Sequence, residues 1–240
     1  MRNFIKLIFI PAIALFMESN KTNAQALSNK QKSIVAISAH TAKGNLAELK
    51  NSLNVGLDAG MTVNEIKEIF IQLAAYCGFP RSLNAINSFI TVSNERKAKG
   101  IHDVTGTDPT VLSHTANKYE TGKQNLEQLT GRPEGATKTG YAAFVPVIDT
   151  FLKEHLFADI FSRGILSNLE RELITVSALT SMGGVEPQLQ SHLSISMHLG
   201  LNKAELQQML DIIKTSIGER EAKAGEEVLI KVIAARRQNN

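Results

Sequence analysis

From residue 27 onward the apolar side chains fall at helical intervals. Thr62-Val63-Asn64-Glu65 opens a run in which Ile66, Ile69, Phe70 and Leu73 follow at spacings of three and four. That is a capping box feeding an amphipathic helix. Asp108-Pro109 and Glu186-Pro187 have the form of a helix start with proline in the first turn. Gly60 and Gly200 stand where left-handed helix ends belong. No stretch alternates for long, and two-residue hairpin turns between apolar runs are missing. The pattern predicts an all-α fold.

The pattern also repeats. Leu27-Ser28-Asn29 returns as Leu166-Ser167-Asn168, and in the same register Ser38-Ala39, Thr41 and Gly44 meet Ser177-Ala178, Thr180 and Gly183. With one residue inserted, Leu49, Leu53, Gly60, Thr62, Glu65 and Gly78 meet Leu189, Leu193, Gly200, Asn202, Glu205 and Gly218. Helical proteins share leucine and glycine spacings by chance, but here cap, glycine and glutamate recur together. The expected organisation is a first helical unit over 27–100, a connector over 101–165 and a second unit over 166–240. The connector is expected to carry helices near 110–129 and 144–161, split by Gly131-Arg132-Pro133-Glu134-Gly135.

Residues 1–26 read differently. Arg2 and Lys6 precede a ten-residue apolar run, and a polar stretch then ends in Asn23-Ala24-Gln25-Ala26. This is the form of a cleavable export leader, too short to span a bilayer. Its expected product is periplasmic or secreted, without membrane contact once the leader is gone. The whole chain has 26 basic and 23 acidic residues; cleavage after Ala26 leaves 23 and 22. Near-neutrality gives no footprint for nucleic acid. The one cysteine, Cys77, excludes a disulfide framework and a cysteine-ligated zinc site.

Several phrases resemble the carboxymuconolactone decarboxylase family and its wider alkylhydroperoxidase D-like superfamily. Tyr119-Glu120-Thr121-Gly122 resembles the family's R-Y-E-x-G opening, and residues 156–166, LFADIFSRGIL, its F-G-D-x-W-S-R-P-G-L phrase. Glu65-Ile66-Lys67-Glu68-Ile69, followed by Gln72 and Tyr76-Cys77-Gly78-Phe79-Pro80, resembles E-I-x-E-x-x-x-Q-x-A-x-Y-A-G-F-P. The stretch from Arg171 to His192 resembles the helix, glycine turn and E-L-x-x-H that follow. The order and spacing of these phrases cover most of residues 30–220. The resemblance implies paired helical units, ring-like homo-oligomers, a small-molecule substrate and no cofactor. Peroxidase members carry C-x-x-C-x-x-x-H, whose cysteines map to Val185 and Gln188, whose histidine maps to His192, and whose upstream acid maps to Leu173, beside Glu172. Without thiolates that chemistry is excluded.

His192 is then the sharpest candidate: a proton shuttle near neutral pH, or a histidine bonded at the core's edge. His198 is six residues on, the wrong spacing for a shared metal, and no metal site is expected. Glu68, Gln72 and Tyr76 share one helical stripe, either a pocket wall or a solvated edge. The Tyr76-Cys77-Gly78-Phe79-Pro80 corner ends it; Glu68 is expected to share the catalytic role with His192, and Tyr76, Cys77, Gly78, Phe79 and Pro80 to bind substrate. One composite site per chain is expected, with His192 from the second unit facing Glu68, Tyr76 and Phe79 from the first. By resemblance Arg163 anchors a substrate carboxylate; a structural ion pair is the alternative. Two phrase departures, Phe161 for tryptophan and Ile165 after Gly164, leave the substrate open. The expected activity is a cofactor-free lyase or isomerase acting on a small carboxylated lactone or related acid. A non-thiol detoxification protein and a non-catalytic ligand-binding oligomer are the alternatives.

Overall fold

A computed structural model describes residues 26–238. The leader expected over residues 1–26 lies outside them, apart from Ala26. Four helices come first: α1 (Asn29–Lys43), α2 (Leu46–Asp58), α3 (Val63–Cys77) and α4 (Phe79–Ala98). Four more close the chain: α8 (Asn168–Met182), α9 (Glu186–His198), α10 (Lys203–Ser216) and α11 (Glu219–Gln238). Matched in order, the helices of the two quartets agree in length to within a residue. No strand occurs among the described residues. The protein is all-α, built from two related helical units.

The same local devices start corresponding helices. Ser28 with Gln31 boxes α1 as Ser167 with Glu170 boxes α8, and Thr62 with Glu65 boxes α3 as Asn202 with Glu205 boxes α10. Each box satisfies orphan N–H groups that a buried helix start would otherwise leave unpaired.

The units interlock through α1 and α8, which pack side by side, while α3 lies on α8 and α10 on α1. The third helix of each unit thus rests on the first helix of the other. Position α8 is enclosed most fully: all eleven residues from Arg171 to Ser181 are buried. A helix hidden all round needs its polar side chains satisfied internally. Thr175, Ser177, Thr180 and Ser181 achieve this by donating to the carbonyls four residues back, at 2.6–3.0 Å.

The connector departs from the expected helices. Residues 101–113 form no helix, and Asp108-Pro109 starts nothing. Instead Val104 and Thr105 offer their carbonyls to the N–H groups of Val63 and Asn64, and Thr107 O accepts from the Asn64 amide. The strap is held extended because it completes the cap of α3. The helix expected from residue 110 begins later, at α5 (Lys118–Thr130), where the Asn117 side chain accepts from Glu120 N. Beyond the glycine-rich break come α6 (Gly140–Phe144) and α7 (Pro146–Phe151). The chain runs on through a π-helical segment (Leu152–Ile160) and a 3-10 turn (Phe161–Arg163). Segment and α5 touch backbone to backbone: a Cβ on Gly122 would lie 1.9 Å from Lys153 O. Leu129, Leu156, Phe157, Ile160 and Phe161 form a second apolar cluster there, joined to the main core through Tyr76.

Candidate functional site at the junction of the units

Because α3 lies on α8, the polar stripe of the first unit meets the polar residues of the second. Glu68, 2% exposed, receives Arg163 Nε at 2.8 and 3.0 Å and Arg171 Nη2 at 3.2 Å. One turn on, Gln72 accepts from Arg171 Nη1 at 3.1 Å and donates to Arg171 O and Thr175 Oγ1 at 2.8 and 2.9 Å. Arg171 is wholly buried, its guanidinium 5.5 Å from the Phe161 ring. Burial lowers its pKa, and the Glu68 carboxylate opposes that shift. This end of the stripe is a closed ionic lattice holding the 3-10 turn, α3 and α8 together.

At the other end the chemistry is less fully satisfied. His192 Nδ1 stands 2.8 Å from Glu172 Oε2, and the Tyr76 ring meets the imidazole edge-on with centroids 5.6 Å apart. Glu172 is fully buried, while His192 keeps 14% of its side chain exposed. A carboxylate on Nδ1 fixes the ring's orientation and leaves Nε2 as the working nitrogen. Glu172 Oε1 has no protein hydrogen-bond partner, and Tyr76 Oη has none in good geometry, with Thr175 its nearest polar neighbour. Buried polar atoms left unpaired cost stability, which sets this end apart from the lattice around Glu68. Burial, reinforced by the Glu172 carboxylate, pushes the Tyr76 phenol well above its ordinary value, with Thr175 and Arg171 opposing. Tyr76 is therefore a hydrogen-bond donor at any physiological pH.

The other sequence candidates fall in different places. Phe79, 63% exposed, and Pro80 stand at the surface in the first turn of α4. Gly78 makes the α3–α4 corner with φ +84°. Cys77 is half-buried and its Sγ lies 3.1 Å from Leu73 O. Burial raises the thiol, with Arg81 opposing, so it is a poor nucleophile. Arg163 is a quarter exposed and is fixed through Nε alone. Glu172 is the residue that sequence reasoning passed over: the mapping placed the upstream acid on Leu173, one residue away.

The first unit has no such site. By the repeat register Arg171, Glu172, His192 and Gln72 correspond to Lys32, Ser33, Ser52 and Ile212. These four line one cleft of about 530 Å³. No group of three histidine, cysteine or acidic side chains suited to a metal occurs among the described residues. Nor is any described helix long and apolar enough to cross a membrane.

Fold and site together define a duplicated helical protein with a buried polar site where its two halves meet. The family model for carboxymuconolactone decarboxylases matches residues 11–89 and 146–229, well over half the chain. The chain belongs to the carboxymuconolactone decarboxylase family. No curated protein matches it.

Proposed function

We propose that this protein is a cofactor-free lyase or isomerase acting on a small carboxylated lactone or related acid, with His192 moving the proton. The observation that carries the reading is the Glu172–His192 pair at 2.8 Å with the Tyr76 ring edge-on to the imidazole. In a decarboxylation the bond to the carboxylate carbon breaks and carbon dioxide leaves. The electron pair stays behind as an enolate, and protonated His192 delivers a proton to its carbon. Solvent then restores the imidazolium. Glu172 holds the ring and balances its charge, and Tyr76 donates to the oxygen on which negative charge collects. An isomerisation needs the same groups, with His192 removing and returning one proton. Glu68 positions Arg163, whose remaining N–H groups are suited to a substrate carboxylate.

The protein is expected to act outside the inner membrane, as a self-associated assembly. The leader-like residues 1–26 support export. Self-association is supported by Tyr141, Phe144 and Phe151, which are 61%, 89% and 60% exposed along α6 and α7. At about 200 Å² per ring these leave roughly 400 Å² uncovered. With Val145, Val147 and Ile148 alongside, two copies would bury on the order of 1,200 Å², the low end of a specific interface.

The test is turnover of a panel of carboxylated lactones by the mature protein and by His192→Ala. Wild-type turnover reduced at least ~100-fold in the variant is the expected result. Thiol-independent consumption of peroxide would favour the detoxification alternative. Binding without turnover, unchanged by the substitution, would favour the ligand-binding one.

A further inference from the structure

A cleft of about 800 Å³ opens between the end of α5, the outer face of α9 and the last turns of α11. It lies outside the Glu172–His192 pair and takes no part in the chemistry above. Its charged lining is of one sign. Arg132 and Arg236 face the cavity with His198 beside them, and among the described residues no carboxylate lines it. In a chain with nearly balanced charge, that is a local positive field. Among the described residues neither Arg132 nor Arg236 forms an ion pair, whereas Arg96, Arg163, Arg171 and Arg220 each have a carboxylate partner.

The arrangement is also built. Gly131 has φ +67°, and a Cβ there would lie 2.5 Å from Cε1 and Nε2 of His198. Only glycine lets the turn carrying Arg132 sit down on that imidazole. From the opposite wall, Arg236 Nη1 reaches Ser194 O at 3.4 Å. The carboxyl end of α5 contributes about half a unit of negative charge here, and the two termini of α9 both border the cleft and oppose one another, a balance that the two guanidiniums exceed. A full anion completes the balance.

We propose that this cleft binds a small aliphatic dicarboxylate. Planar guanidinium forks match carboxylates in pairs of hydrogen bonds, and two forks on two separate elements suit two carboxylates. Ile195, Val232 and Ala235 share the wall and suit a hydrocarbon spacer better than a compact inorganic anion. The volume lies within the range of small-molecule sites.

Succinate is the probe, titrated calorimetrically into the full chain at low ionic strength. Saturable one-site binding is expected, weakened at least ~tenfold by Arg132→Gln and by Arg236→Gln. The neighbouring Arg237→Gln, outside the lining, and His192→Ala are expected to leave it unchanged, and inorganic phosphate to bind at least ~tenfold more weakly. Four results would each overturn the proposal: no binding up to ~10 mM, binding that survives both arginine substitutions, equal weakening by Arg237→Gln, or phosphate binding as tightly as succinate. Loss of succinate binding in His192→Ala alone would move the ligand to the junction site. That outcome leaves the proton-transfer reading standing and this one refuted.

Discussion

Tyr76 concentrates the residue-scale chemistry: a phenol whose ring rests on His192 and whose hydroxyl is buried without a partner in good geometry. Its pKa is raised above the ordinary 10, so ionisation is penalised in the fold and not in the unfolded chain. The stability this implies is full below pH ~10 and is lost as pH rises beyond it. In alkaline spectrophotometric titration, the tyrosinate signal missing in Tyr76→Phe is expected to appear in wild type only with unfolding. A Tyr76 signal rising near pH ~10 in folded protein would contradict this. Glu68 makes the contrasting case. Replacing it with alanine strips Arg171 of its carboxylate in a fully buried setting, and a loss of about 3–5 kcal/mol in urea unfolding is expected. A purely catalytic Glu68 would leave the unfolding midpoint in place. His192 and the stripe were legible in the sequence because four-residue spacing and a family phrase both point inward. The pairing of Arg163 with Glu68 was not, since 95 residues separate them. Glu172 was missed because one residue is a turn of about 100° on a helix, and alignment alone does not say which neighbour faces the histidine.

At the scale of elements, the contact between α5 and the π-helical segment decides whether the connector can frame the site. Gly122→Ala forces a methyl into Lys153 O, and a cost of about 1–3 kcal/mol or more is expected by thermal or chemical denaturation. Behind that contact, Lys153 is 1% exposed and donates to Asp149 at 2.7 and 2.8 Å, to Tyr119 Oη at 3.1 Å and to Glu134. Burial alone would raise Asp149. Hydrogen bonds from Lys138, Lys153 and Tyr119 outweigh it and hold the carboxyl at about 2. A depressed carboxyl stabilises the fold above its ordinary value of 3.8 and loses that contribution as pH falls toward 2. Asp149→Asn is therefore expected to flatten acid unfolding over that interval, at the cost of lower stability near neutrality. The Tyr119 and Gly122 phrase was visible in the sequence, and its physical purpose is this network and this close approach. The helix expected from Asp108-Pro109 failed for a reason outside the local sequence. The strap's carbonyls are needed by α3, and tertiary hydrogen bonding outweighed a proline start signal.

For the molecule as a whole, duplication explains the paired helices, and divergence of the copies explains why the polar cluster falls on one side only. The repeat in caps, glycines and leucines was legible because those residues act locally, and the matched helices share them. The divergence of the site was legible only as isolated differences, and the structure groups them. Arg171, Glu172 and His192 stand on one side of the pseudo-symmetric pair, with Lys32, Ser33 and Ser52 on the other. Neither the cross-unit packing of α3 on α8 nor the exposed rings of α6 and α7 could be placed without the fold. Phe144 is 89% exposed, so Phe144→Glu is expected to leave folding intact. On the proposed self-association it should shift the protein toward single chains in light scattering coupled to size exclusion. An unchanged assembly would place the interface elsewhere.

The central claim, that His192 held by Glu172 supplies the proton, is tested most directly by solvent isotope incorporation. Reaction of a turned-over carboxylated lactone in heavy water is expected to place one deuterium on the carbon that loses its substituent. His192→Ala and Glu172→Gln should slow its appearance in parallel. Undiminished deuterium incorporation at an undiminished rate in His192→Ala would contradict it.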